Sequence, residues 1–361
     1  MASLKDARLK INKIDKQMAE LFVERMLAAK EIAFYKKDHG LPIYDEKRES
    51  EVIVNNSKLV DDRELRAYYV NFLKNNMAVS RNFQEKLLEG MKVAYSGTEG
   101  AFAHIATTKL FPTSRKIPFS DFGAAYNAVV NGKCDAAILP VENSYNGEVG
   151  QVTDLMFSGS LYVNGMLELP VSQDLLGLDG ASLKDIKDVY SHPQALGQCA
   201  DFIRDNNFAE HEYSNTALAA KYVAEQNDKS LAAIASAEAA EIFGLRVIAR
   251  NINASRSNTT RFAVFSRSQN KHSPGEAGIH SIILFTVRNE AGALAKAIDV
   301  IGRHGFNMRT LRSRPMKELL WQYYFYVEAE GDVDTEEGAL MMRELNQYCD
   351  KLKAIGTYVK N

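Results

Sequence analysis

The sequence is poor in cysteine: Cys134, Cys199 and Cys349 are the only three among 361 residues. They are odd in number, scattered, and without metal-ligand spacing. That excludes a disulfide framework, implies no metal site, and predicts a reduced, cytoplasmic setting. An excess of one charge is also lacking. The 44 Lys and Arg against 46 Asp and Glu leave a net charge of −2, so electrostatic binding of nucleic acid is not expected. No apolar run reaches the roughly 18 residues that would mark a membrane span. The opening stretch MASLKDARLKINKIDK carries acids and no apolar core, so it does not read as a secretion signal. Internal repeats and low-complexity tracts are absent.

What is present is an apolar fraction of 46%, enough for ordinary cores, over a length that predicts two or three domains. Three regimes follow one another. Residues 1–89 read as all-helical, with one helix to about His39, a second from about Asp45 and a third from about Arg63 to Leu88. Gly40 suits the end of the first helix and Asp45 the cap of the second. Residues 91–268 alternate strand and helix: MKVAYSG, DAAILPV and LAAIAS are strands, and TRFAVFS is a closing strand. Residues 269–278 are a polar linker with Pro and Gly. Residues 279–361 follow the order βαββαβ, the α+β ferredoxin-like arrangement. Its strands include IHSIILFTV, FNMRTLRSRP, LWQYYFYVEA and AIGTYV.

The helical region poses a question of charge. Around VERMLAAKEIAFYKK, at about 100° per residue, Met18, Phe22, Ala29 and Ile32 fall on one apolar stripe that continues Ile11 and Ile14. Arg25 and Lys36 share that stripe, and Arg8 lies at its edge. A cation on a buried face costs free energy unless an anion meets it or its stem snorkels to water. On the second helix, Asp45, Arg48 and Glu49 share one side by i+3 and i+4 spacing; on the third, Ser80 and Gln84 do so. A solvated face or buried carboxylates would explain each singly. A small anionic ligand inside the bundle would explain them together.

Taken in order, Arg8, Arg25, Lys36, Asp45, Arg48, Glu49, Ser80 and Gln84 resemble the polar site of the all-helical chorismate mutases. The resemblance implies a pericyclic rearrangement of chorismate to prephenate, which requires no nucleophile and no cofactor. Such an enzyme holds the compact conformer and stabilises negative charge growing on the ether oxygen. It implies that Arg8, Arg25 and Arg48 grip carboxylates, that Lys36 and Gln84 donate to the ether oxygen, and that Glu49 meets the hydroxyl. Asp45 and Ser80 would support them. It also implies two interlocked chains, with Arg8 crossing to the partner's site.

In the α/β region, the loop SGTEGAF follows a strand and opens a helix, where free amides can hold an anion. LPVENSYNGEV puts Glu142, Asn143 and Ser144 past a strand end, as a ligand site or a side-chain-stabilised turn. SHPQALGQC offers His192 and Gln194, and SNTTRF offers Asn258, Thr260 and Arg261. The motifs PVENS, SHPQAL, AAIAS, AAEIFGL and TTRF, in that order, resemble the prephenate dehydratases. The resemblance implies two α/β lobes around a cleft, like a periplasmic binding protein. The substrate it implies is prephenate, which loses carbon dioxide and its ring hydroxyl to become phenylpyruvate. It assigns Thr260 to the leaving hydroxyl. A threonine hydroxyl is a poor proton donor, so Thr260 is expected to orient, with Glu142 as the acid if burial raises its pKa. Arg261 is expected on a carboxylate, with Asn143, Ser144, Ser191 and Gln194 lining the cleft.

In the last region, NEAGALAKAIDVIGRHGFNM and LRSRP are similar to the ACT domain of this enzyme family. Gly292, Ala293 and Leu294 match one effector motif; Ser313, Arg314 and Pro315 match part of another. The implied effector is phenylalanine. Arg312 stands where the family usually has Glu, which reverses a charge near the expected effector site. The sequence is thus read as a bifunctional enzyme of phenylalanine biosynthesis, at least a dimer, without metal or cofactor. A dehydratase acting on arogenate, or a non-catalytic amino-acid-sensing regulator, is the alternative.

Overall fold

The computed structural model describes residues 3–254, 258–273, 276–316 and 322–360. Leu320 and Trp321 of the expected strand, and Pro274 and Gly275 of the expected linker, lie outside the described residues. The chain forms two compact units, Met1–Lys92 and Val93–Asn361. Among the described residues no helix is long and apolar enough to cross a membrane.

The first unit contains helices α1 (Leu4–Asp38), α2 (Glu46–Ser57) and α3 (Arg63–Glu89). Each start is capped by a short polar side chain: Ser3 accepts from the amide of Asp6, Asp45 from Arg48, and Asp62 from Glu64 and Leu65. Gly40, at φ +63°, follows the end of α1 in a conformation that favours glycine. Helix α1 packs on α3, with Ala29 and Ala33 buried on one helix and Leu73 and Met77 on the other. The expected apolar stripe is corrected here. Ile11, Ile14, Met18, Phe22 and Ile32 are 44–56% exposed, because nothing else in this unit covers that side of α1.

After α3 come β1 (Lys92–Ser96), whose first residue ends the first unit, and then α4 (Phe102–Leu110), β2 (Arg115–Phe119), α5 (Phe122–Val130), β3 (Ala136–Asn143), β4 (Gly147–Glu148), α6 (Gly150–Ser158) and β5 (Tyr162–Pro170). The second unit continues with β6 (Asp174–Gly177), β7 (Asp188–Ser191), α7 (Pro193–Gln198), α8 (Ala200–Asp205), β8 (Ala209–Glu212), α9 (Thr216–Gln226), β9 (Leu231–Ala235), α10 (Ala237–Phe243) and β10 (Arg246–Ala249). Then come β11 (Thr259–Ser266), β12 (Ile279–Val287), α11 (Ala293–Arg303), β13 (Asn307–Pro315), β14 (Tyr323–Glu330), α12 (Glu336–Leu345) and β15 (Cys349–Val359).

These strands make three sheets. One has the order β2-β1-β3-β11-β5, with β4 on β3; another is β10-β6-β9-β7-β8; the last is β13-β14-β12-β15. The chain therefore leaves the first sheet after β5, builds the second, and returns as β11, which lies antiparallel between β3 and β5. This is the two-lobed path expected from TTRF. The third sheet is antiparallel throughout, in βαββαβ order. One of its faces is closed by α11 and α12 around Phe285, Val300, Ile301 and Met341. Its other face shares a core with the first lobe, where Leu139, Val163 and Phe265 join Ile282, Leu284, Tyr326 and Tyr358. The approach is close: a Cβ on Gly356 would meet the Val163 carbonyl oxygen at 2.1 Å.

Candidate active sites

In the helical unit, the Arg25 guanidinium donates to the Ser80 hydroxyl and, at 3.3 Å, to the Asn76 carbonyl. Ser80 itself donates to Asn76 at 2.9 Å. Burial lowers the Arg25 pKa from the ordinary arginine value. The Lys36 ammonium donates to the Ile43 carbonyl at 2.6 Å. Among the described residues neither cation is paired with a carboxylate, so their charges remain to be met. Gln84 is buried one turn beyond Ser80 on α3.

Glu49 pairs with Arg81, whose guanidinium also lies 5.3 Å from the Tyr44 ring. Sequence reasoning missed Arg81; its place beside Ser80, on a helix already carrying site residues, was the available signal. Asp45 is used as the cap of α2, accepting from the Arg48 amide at 2.9 Å. The Arg48 side chain is exposed, 3.6 Å from Glu51. Arg8 is exposed too, 17 residues before Arg25, or about 25 Å along one straight helix. Arg8 therefore does not join Arg25 within its own helix.

In the second unit, the lobes enclose a cavity of about 660 Å³. Of the expected residues, Asn143, Gln194 and Thr260 line it, as does His192. Asn143 organises one wall. Its amide nitrogen donates to Asn258 Oδ1 at 2.8 Å, Thr260 Oγ1 at 3.0 Å and the Thr259 carbonyl at 3.3 Å. Its amide oxygen accepts from the Tyr145 and Asn146 backbone N–H groups, each at 3.0 Å. Asn258, nearly fully buried, donates in turn to Gln198 Oε1 at 3.2 Å. His192 caps α7 by accepting from the Gln194 amide.

The helix starts of α4 and α9 also line the cavity, at Ala101–Ala103 and at Asn215–Thr216. Helix α4 has no side-chain cap bond, which leaves its amides to an anionic ligand. Gln173, on the crossing between lobes, is buried in the wall, and its Oε1 has no partner among the described residues. Gln198 and Gln173 were not foreseen. The signal for Gln198 was its i+4 spacing from Gln194 in SHPQALGQC; Gln173 offered none.

Four expected cleft residues lie elsewhere. Successive side chains of a strand point to opposite faces, so with Thr260 facing the cleft Arg261 faces away. The Arg261 guanidinium makes a two-pronged bond to Glu328 at 2.9 and 3.0 Å, accepts a place beside Tyr358 by donating to its hydroxyl at 3.0 Å, and reaches Glu142 at 3.5 Å. Glu142 likewise faces the third sheet, pairs with Arg312, and is not among the residues that line the cavity. Ser144 holds the neighbouring backbone, accepting from the Thr259 amide at 2.9 Å. Ser191 is fully buried and donates to the Ile234 carbonyl at 2.5 Å.

Of the expected effector residues, Leu294 lines a separate cavity of about 490 Å³ with Asn289, Glu290 and Tyr323. Gly292, at φ +81°, caps α11, and Ala293 is its first residue. Ser313 is exposed on β13. Arg314 does not face that cavity. It reaches toward the first lobe, 3.2 Å from Asp154, 3.1 Å from the Tyr324 hydroxyl and 3.5 Å from Glu148. Arg312, besides its pair with Glu142, lies 5.9 Å from the centre of the Tyr326 ring.

Comparison with known proteins follows this division. Residues 7–85 match the family described as chorismate mutase type II, and residues 93–270 match prephenate dehydratase. A bifunctional chorismate mutase/prephenate dehydratase of Aquifex aeolicus is 31% identical over 367 residues, spanning 100% of this chain and 99% of that protein. A solved prephenate dehydratase from Arthrobacter aurescens, in complex with L-Phe, superposes with a TM-score of 0.68 at 25% identity, over 74% of this chain and 90% of that one. A structure described as a novel type of quorum-quenching acylase superposes with a TM-score of 0.69 at 30% identity, over 75% of this chain and 98% of that one.

Proposed function

The chain belongs to the bifunctional chorismate mutase/prephenate dehydratase family, and from that premise we infer that it carries out both reactions in turn. The observation that carries the reading is the Asn143–Thr260 pair, bonded at 3.0 Å in the wall of the cleft between the lobes.

Chorismate and prephenate are both dicarboxylates. In the helical unit, Arg25 and Lys36 lack carboxylate partners among the described residues, which suits a dianion. Lys36 and Gln84 donate to the ether oxygen, where negative charge grows as the bond breaks; Arg25 and Arg48 hold carboxylates; Glu49, held by Arg81, meets the hydroxyl. No proton is transferred in this step. Arg8, far along α1, serves the site of a second chain. The exposure of Ile11, Met18, Phe22 and their neighbours supports a dimer built on α1, since a stripe this apolar is stabilised by burial.

In the cleft, prephenate takes up one proton, and its carboxylate carbon leaves as carbon dioxide while the ring hydroxyl leaves as water. The product is phenylpyruvate, whose aromatic ring supplies the driving force. Thr260, positioned by Asn143, orients the departing hydroxyl, and the amides at the start of α4 receive a carboxylate. An acylase would need an activated nucleophile. Among the described residues no carboxylate or imidazole is hydrogen-bonded to Thr260, so that reading gains no support from the cleft.

Residues 279–361 form the ACT regulatory region, with phenylalanine as its effector near Leu294; the L-Phe complex of the Arthrobacter aurescens protein supports this. The three free thiols fit a cytoplasmic location. The test is to give purified protein chorismate and look for the ultraviolet absorbance of phenylpyruvate enolate in alkali. Its appearance is expected. No absorbance, with chorismate unconsumed or prephenate accumulating, refutes the assignment.

A further inference from the structure

Thr260 and Asn143 face the cleft, and their chain neighbours Arg261 and Glu142 face the third sheet. Those two neighbours are held by ionic partners from that sheet. Glu328 of β14 is 4% exposed at its side chain and takes both prongs of Arg261. Tyr358 of β15 donates to Glu328 at 2.6 Å while accepting from Arg261 at 3.0 Å, so the pair is fixed from a third side. Arg312 of β13 grips Glu142. The attachment coincides with an irregularity in the strands. Thr260 pairs with Asn143 and Arg261 with Glu142, but Phe262 pairs with Pro140, so Val141 is an extra residue in β3. A bulge of this kind re-aims the side chains beside it, and its geometry is only as definite as its surroundings make it.

We propose that Glu328 is a positioning residue of the dehydratase reaction: by holding Arg261 it fixes the bulged segment that presents Thr260 and Asn143 to the substrate. The third sheet is then part of the scaffold of the cleft as well as a place for an effector. Arg312, through Glu142, holds the same segment from β3. A salt bridge that served stability alone would work equally well at any point of this interface. These two clamp the immediate neighbours of the two hydrogen-bonded cleft residues.

The inference rests on the dehydratase reading of the cleft, and its test separates the two. Glu328→Gln keeps the shape and removes the charge. The full-length variant is assayed on prephenate, with a thermal melt of the same sample as the measure of folded protein. A misplacement of about 1 Å costs up to a hundredfold, so kcat is expected to fall about ten- to a hundredfold. KM should stay within about twofold, because Glu328 does not touch substrate. If Glu328→Gln is insoluble, Tyr358→Phe removes only the hydroxyl shared by the pair and should lower kcat severalfold.

A lowered melting temperature with unchanged kcat would overturn the proposal, leaving Glu328 as structural. A raised KM at unchanged kcat would also overturn it, by returning Arg261 to the substrate. A wild-type chain without dehydratase turnover would overturn the reading of the cleft itself; an active wild type with an unaffected Glu328→Gln overturns the positioning role alone.

Discussion

Replacing Thr260 by valine separates catalysis from stability. The side chains match in shape, so the change deletes one hydroxyl. Asn143 then loses its 3.0 Å bond to Thr260, but its amide nitrogen keeps Asn258 Oδ1 at 2.8 Å and the Thr259 carbonyl at 3.3 Å. No buried donor is orphaned. The stability loss should therefore be that of one net hydrogen bond, about 1 kcal/mol or less, or about 2–4 °C in melting temperature for a unit of this size. The catalytic loss should be far larger. A group aimed at charge or a leaving group in the transition state is worth about 3–4 kcal/mol, so kcat on prephenate should fall about a hundred- to a thousandfold. Phenylpyruvate release from prephenate measures one quantity and a thermal melt the other. Mutase activity should be unchanged. A kcat within about threefold of wild type would refute the role of Thr260. So would a catalytic loss matched by an equally severe loss of folded protein.

Other outcomes follow from the same geometry. Lys36→Ala should abolish chorismate turnover and leave prephenate turnover intact, measured on each substrate separately. If Arg8 serves a second chain, inactive Arg8→Ala and Lys36→Ala chains refolded together should regain about a quarter of the mutase activity, since about half the dimers are mixed and each has one complete site. Ser191→Ala should act on stability, not on KM. It removes one buried hydrogen bond, to the Ile234 carbonyl, at about 1 kcal/mol, read from a denaturant titration. His304 bridges Glu344 at 2.9 Å and Glu337 at 2.6 Å, and hydrogen bonding to these carboxylates raises its pKa. A raised cation contributes fully below its unfolded pKa of about 6.5 and is lost as pH rises through the higher folded value. The melting temperature of wild type should thus fall relative to His304→Gln as pH increases from about 6 to 8.

The helices of the first unit were legible because their signals are local: Asp45 caps, Gly40 ends, and the chain between is rich in helix formers. What covers the Met18–Phe22 stripe was not legible, because this unit does not cover it. In the second unit the α/β texture and the βαββαβ sheet were readable from the order of strands and helices, whereas the two-lobed path came only with the resemblance carried by motifs such as SHPQAL and TTRF. The site was half readable. Motifs such as PVENS and TTRF are contiguous in sequence, but a strand sends alternate residues to opposite faces. Asn143 and Thr260 therefore reach the cleft, while Glu142 and Arg261 reach the third sheet. Arg312 looked like a charge reversal at an effector site. Its partner, Glu142, lies 170 residues earlier, and only the folded chain brings the two together.

The most direct measurement is a progress curve from chorismate, with chorismate, prephenate and phenylpyruvate followed together. Prephenate should appear first and then decline as phenylpyruvate accumulates; Lys36→Ala should stop at chorismate and Thr260→Ala at prephenate. Phenylpyruvate formation by either variant at the wild-type rate would contradict the assignment of one reaction to the helical unit and the other to the cleft.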